Sequence, residues 1–134
     1  MTYTQSTNEQ IDFGQKEFEA IVTVIKDYFL GLHHGDVAKL ERIFHPDAYL
    51  KAPNLRRSLA EWLEAVASRP IPSEEGYSDN FKLLSIEIIK DQAMVKVECP
   101  LFEHFYIDYL GLLKEKGRWL IVNKMYTDIK EVAV

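Results

Sequence analysis

The stretch Tyr28-Phe-Leu-Gly-Leu-His-His-Gly-Asp-Val-Ala-Lys-Leu-Glu-Arg-Ile-Phe-His-Pro-Asp-Ala-Tyr-Leu50 decides how this chain is read. It opens as the last turns of an amphipathic helix. Gly35 suits the left-handed position that ends a helix, and Asp36 can cap the next one. Val37, Leu40, Ile43 and Phe44 form the inner face of that second helix, and Pro46 closes it before a strand at Tyr49 to Ala52.

Working outward, the first helix runs back to about Gln15, with Phe18, Ile21, Val22, Ile25, Tyr28, Phe29 and Leu32 on one helical stripe. Residues 1–14, polar and rich in Thr, Ser, Gln and Asn, read as a flexible tail, and residues 15–134 as one domain. Downstream, Ser58-Leu-Ala-Glu61 is a capping box that opens a third helix with Leu59, Trp62, Leu63 and Val66 inward, ended by Arg69-Pro-Ile-Pro72. The remainder alternates as strands over Asp79–Ile89, Ala93–Cys99, Phe102–Lys114 and Arg118–Thr127. Lys90-Asp-Gln92 and Glu115-Lys-Gly117 supply turns, so these strands should pair antiparallel. Helices first and a meander after define an α+β fold with the helices on one face of a sheet. The longest strand must bend, and Gly111 is the natural place for a bulge.

Composition narrows the function classes. The 134 residues are 47% hydrophobic and 28% charged, with a net charge of -5. Such a chain folds without a disulfide or metal. Its acidity argues against nucleic acid as a partner, which needs a basic face. No apolar run is long enough to span a membrane, and the polar start has no signal-peptide core, which leads to the expectation of a cytoplasmic protein. The single Cys99 lies in an alternating strand and reads as a small buried hydrophobe. The four histidines offer no metal-ligand spacing: His33 and His34 point apart on a helix, His45 precedes a proline, and His104 has no partner two residues away. No cofactor motif is present.

The candidate site rests on face arithmetic. His104, Tyr106 and Asp108 alternate on one face of their strand, which continues into Leu110 and Leu112. His104 and Asp108 are about 13 Å apart along the strand, too far for a hydrogen-bonded dyad, yet able to line two ends of one pocket. Tyr28 and Trp62 lie on inward helix stripes, Tyr49 on the first strand, and Asn123 alternates with Trp119 and Ile121 on the face expected to point inward. The expected ligand-binding set is therefore Tyr28, Tyr49, Trp62, His104, Tyr106, Asp108 and Asn123. Core packing with a satisfied hydroxyl remains the alternative for Tyr28, and plain core packing for Trp62 and Tyr49.

Tyr28-Phe-x-Gly-Leu-His-x-Gly-Asp36, Phe44-His-Pro-Asp-Ala48, Arg69-Pro70, Asp108-Tyr-Leu-x-Leu-Leu-Lys114 and Gly117-Arg-Trp-x-Ile-Val-Asn-Lys124 carry a resemblance over about Ile21 to Tyr126. In order and spacing they resemble the lumazine-binding-like family, within the nuclear transport factor 2-like (SnoaL-like, ketosteroid isomerase-like) superfamily. The resemblance implies a cone-shaped α+β fold, a central pocket and a homodimer formed through the sheet. The opening segment is also similar to ketosteroid isomerases, where the tyrosine matching Tyr28 donates to a developing oxyanion. The position matching their carboxylate base is Ala52, which cannot move a proton, so that mechanism does not carry over.

Three functions stay open at this level. The first is a small-molecule binder for a lumazine-like or other aromatic heterocyclic ligand. The second is a pocket enzyme of isomerase, dehydratase or hydrolase type with Asp108 or His104 as base and Tyr28 as donor. The third is a non-catalytic dimeric interaction module.

Overall fold

The computed structural model describes residues 8–130, with side chains from Gly14 onward. The order is α1 (Asn8–His34), α2 (Val37–Ile43), β1 (Phe44–Ala52), β2 (Leu55–Ser58), α3 (Leu59–Ser68), β3 (Lys82–Ile89), β4 (Gln92–Leu101), β5 (His104–Glu115) and β6 (Arg118–Asp128). Six strands form one curved, unclosed sheet in the order β2-β1-β6-β5-β4-β3 with the helices packed against it, the expected α+β class. All neighbouring strands are antiparallel except β1 and β6, which run parallel. That pair lies outside the expected meander: the chain returns to β1 only after crossing the whole sheet.

Local signals acted as anticipated at the helix ends. Gly35 has φ +58, and the Asp36 side chain accepts from the Lys39 N–H at 3.1 Å. Ser58 and Glu61 form both bonds of the capping box. Gly31 lies where a Cβ would come within 2.6 Å of Leu40, so α1 and α2 cross at glycine contact. Helix α1 begins at Asn8, ahead of the Gln15 expected; the expected tail before Asn8 lies outside the described residues. Pro46 does not end α2; it falls within β1, and the helix stops at Ile43. Strand β2 was not expected at all.

The core joins Ile21, Ile25, Tyr28 and Leu32 of α1 to Leu40, to the α3 stripe of Leu59, Trp62, Leu63 and Val66, and to the inner faces of β4, β5 and β6. Phe18 leaves the expected stripe and is 47% exposed. Glu17 is buried in its place, accepting from Lys114 Nζ at 2.6 Å and from Trp119 Nε1. This link ties α1 to the strands on either side of the turn between β5 and β6, and the two donors hold the Glu17 carboxyl below the usual carboxylate range, the Lys114 bond first.

Candidate functional site

The register of the sheet sets which side chains reach the helices. On β4 and β5 the pairs Cys99–Tyr106 and Val97–Asp108 put these residues on the inner face, where Asp108 is only 2% exposed. On β6 the register slips between Gly111 and Leu112 of β5: Gly111 pairs with Asn123 and Leu112 with Ile121. The extra residue, Val122, is a β-bulge. Beyond it the alternation is reversed, so Lys124 and Tyr126 pair with inward Leu110 and Asp108. Asn123 stands instead beside Gly111 and Met94, on the face away from the helices. The expected inward position of Asn123 is thereby corrected to Lys124. A bulge was anticipated in β5; the strand opposite carries it.

These residues enclose a cavity of about 80 Å³ between sheet and helices. Its sheet side is Cys99, Leu101, Tyr106, Asp108, Lys124 and Tyr126. Leu32 of α1, Trp62 and the α3 cap Arg69 cover it, and Arg57 enters from β2. Tyr28 sits behind Asp108, fully buried, its hydroxyl donating to Asp108 Oδ2 at 2.6 Å. Of the expected set, Trp62, Tyr106 and Asp108 line the cavity, and Tyr28 supports it. Tyr49 is 47% exposed on the outer face, beside Asn123 in the register. His104 lies at the start of β5, its Nδ1 2.8 Å from Asp128 Oδ2 and its ring stacked 5.2 Å from Tyr106. Asp128 also accepts from the Phe105 and Lys130 N–H groups, and these bonds with His104 draw its carboxyl down to about 2.

Charge within the cavity is opposite to that of the chain. Arg57, Arg69 and Lys124 face Asp108 alone. The Lys124 ammonium is held in an aromatic cage, 4.6 Å from the Trp62 ring centre and 5.3 Å from those of Tyr28 and Tyr126. It stands 4.0 Å from Asp108 Oδ2, beyond hydrogen-bond reach. Burial pulls the Lys124 pKa down, with Arg69 and Arg57 adding to the fall and Asp108 opposing it. Burial, and then Asp108, push the Tyr28 hydroxyl well up, and the same two causes raise the Cys99 thiol. Cys99 is accordingly a packing residue rather than a thiolate.

Two buried polar atoms beside this cavity find no hydrogen-bond partner among the described residues: Arg69 Nη2 and Asp108 Oδ1. One is a donor and the other an acceptor. Phe102 braces Arg69, the guanidinium lying 5.5 Å from the ring centre, and does so with a left-handed φ of +55. Arg57, Arg69 and Lys124 were not found from the sequence. Lys124 alternates with Tyr126, a signal readable only once the bulge is known. A more open groove of about 420 Å³ lies by Ile89, Met94, Gly111 and Val122, without convergent buried polar groups. Among the described residues no cluster of His, Cys, Asp and Glu could hold a metal ion, and no helix is long and apolar enough to cross a membrane.

A curved sheet roofed by three helices, with a polar cavity between them, defines the class as nuclear transport factor 2-like. The chain belongs to the family described as "Putative lumazine-binding", whose model matches residues 16–127. A nuclear transport factor 2-like protein of unknown function from Shewanella baltica OS155 has a similar structure, at TM-score 0.72 and 21% identity, covering 95% of this chain and 100% of that one. One from Silicibacter pomeroyi DSS-3 gives 0.71 and 23%, covering 86% and 98%. Among characterised sequences, "Aldolase FrzH" of Cladobotryum sp. is 26% identical over 116 residues, spanning 82% of this chain and 90% of that protein.

Proposed function

We propose that the protein binds a compact small molecule in the inner cavity, an oxygen-bearing planar compound such as a lumazine-like heterocycle. The observation that carries this reading is the pair of unpartnered buried atoms, Arg69 Nη2 and Asp108 Oδ1. A buried polar group without a partner costs about 1–3 kcal/mol, and a ligand with a carbonyl oxygen and an N–H or O–H would satisfy both. The lactam edge of a pteridine has that pattern. Trp62, Tyr106 and Tyr126 offer ring faces for stacking. The cavity, about 80 Å³, is well below the roughly 300–1,000 Å³ of sites that engulf drug-sized ligands. One edge of such a ring therefore enters while the rest lies toward the mouth.

The test is titration of lumazine and related pteridines, followed by tryptophan fluorescence, into the wild type and Tyr28→Phe, Trp62→Leu and Asp108→Asn. Saturable binding in the wild type that weakens at least tenfold in Asp108→Asn, the equivalent of about 1.4 kcal/mol, supports the site. Equal binding in all four folded proteins rejects it.

A second reading, a pocket enzyme acting on a carbonyl compound, is favoured by Asp108 and Lys124 facing one cavity and by the relative named an aldolase. In this reading Asp108, already hydrogen-bonded to Tyr28, is the base. His104 is oriented by Asp128 but stands outside the cavity lining.

A further inference from the structure

We propose that Lys124 is an imine-forming nucleophile, and that the compact ligand of the inner cavity is an aldehyde or ketone, in particular a 2-oxo acid. The inference rests on the cavity being the ligand site and names the chemistry it performs.

The geometry has three parts. The amine of Lys124 is on the cavity, on a residue 7% exposed, and its ion-pair oxygen is 4.0 Å away, too far to engage its lone pair or protons in a hydrogen bond. Its ring contacts are the faces of Trp62, Tyr28 and Tyr126, which stabilise a cation but accept no covalent or strong hydrogen bond. An amine held only to form a structural ion pair would be expected at bonding distance, as Lys114 is to Glu17 at 2.6 Å. Second, Asp108 lies next to it with Oδ2 fixed by Tyr28 and Oδ1 without a nitrogen or oxygen donor among the described residues, only the weakly donating Cys99 thiol being bonded to this carboxylate, so that one oxygen is in reserve for proton transfer. Third, Arg57 and Arg69 line the same cavity, so a carboxylate attached to the carbonyl has cationic partners.

The chemistry balances without a co-reactant. The neutral Lys124 amine attacks the carbonyl carbon, and the C=O π electrons move to oxygen. Asp108 takes a proton from the nitrogen and returns it to that oxygen, giving the carbinolamine. The nitrogen lone pair then expels the hydroxyl, which takes one proton from bulk water and leaves as water, giving the cationic iminium; loss of its N–H proton to Asp108 gives the neutral imine with its C=N bond. One amine and one carbonyl become one imine and one water. Burial and the two arginines favour the neutral amine this step needs, while Asp108 and the aromatic cage favour the cationic iminium it yields.

The experiment uses pyruvate, with acetone as an uncharged ketone of similar size. The whole protein is incubated at neutral pH with each probe and sodium cyanoborohydride, which reduces an imine to a stable secondary amine. Peptide mass mapping then locates the adduct. In parallel, pyruvate binding without hydride is followed by the fluorescence of the tryptophans. The expected result is a single dominant adduct on Lys124, better with pyruvate than with acetone, and lost in a folded Lys124→Arg variant. Adducts confined to exposed lysines such as Lys82 would overturn the proposal. Fluorescence-detected pyruvate binding with Lys124 unmodified would also overturn it, leaving the cavity as a binding site. Neither binding nor adduct, for pyruvate or for the pteridines, would reject both.

Discussion

Asp108 and Lys124 are two buried charges that do not quite touch, and their energetics follow from that gap. At 4.0 Å, with Asp108 2% exposed, the two groups are desolvated together and each is offset by the other and by the surrounding dipoles. Tyr28 supplies the strongest single contact, a hydroxyl that donates to Asp108 at 2.6 Å. Removing one partner leaves the other buried charge without its nearest opposite, whereas removing both takes away the pair together and leaves Arg57 and Arg69 in the cavity. Thermal denaturation at neutral pH should therefore show Lys124→Met and Asp108→Asn each destabilised, by up to about 3–5 kcal/mol, and the double variant less destabilised than the worse of the two. Simple additivity would show that the two groups do not sense each other. Tyr28, Trp62 and Asp108 were legible as inward residues because helical stripes and strand alternation carry them. Asn123 was misplaced and Lys124 missed because a single inserted residue, Val122, turns every later side chain of β6 to the other face. Nothing in Leu120-Ile-Val-Asn-Lys124 as composition announces a bulge.

At the scale of elements, caps and turns were the most readable features. Gly35, Asp36, Ser58 and Glu61 act through bonds to their own neighbours, so no tertiary context can hide them. Strand β2 was illegible for the opposite reason. Leu55-Arg-Arg-Ser58 is too short and too charged to look like a strand, and it exists because β1 offers it an edge. It carries Arg57 into the cavity, so the missed strand also hid a site residue. The tie between α1 and the sheet through Glu17 is a second tertiary feature without a local signal. Its carboxyl is depressed in the folded state relative to the unfolded value of about 4.3. Its contribution is thus complete above that value and is lost as pH falls through the folded value. Glu17→Gln should be less stable than the wild type at pH 7, by about 1.5–3 kcal/mol, and the difference should shrink as the pH is lowered below about 4. Urea denaturation of both proteins across that range measures it; a difference independent of pH would assign Glu17 a purely steric part.

For the whole molecule, the helices cover one face of the sheet and leave the other with Tyr49, Met94, Tyr109 and Met125 each more than 40% exposed. The register places them close together: Met125 pairs with both Tyr109 and Lys51, Asn123 with Tyr49, and Met94 with Gly111. An apolar patch of this kind is better covered than wet, and a second copy across a two-fold axis would cover it with itself. Sedimentation at micromolar concentration should give twice the 15.6 kDa of the chain; a Tyr109→Lys/Met125→Lys double variant should shift it to the monomer. A wild-type monomer would reject the dimer. The inner face is the one proposed for the ligand, and the two faces can be tested apart. The most direct measurement of that central claim is a crystal structure of the protein grown with saturating lumazine, and separately with pyruvate. The account predicts density in the inner cavity in at least one of them, within hydrogen-bond distance of Arg69 Nη2 and Asp108 Oδ1. A ligand found only in the outer groove by Met94 and Gly111, or an inner cavity holding only water in both crystals, would contradict it.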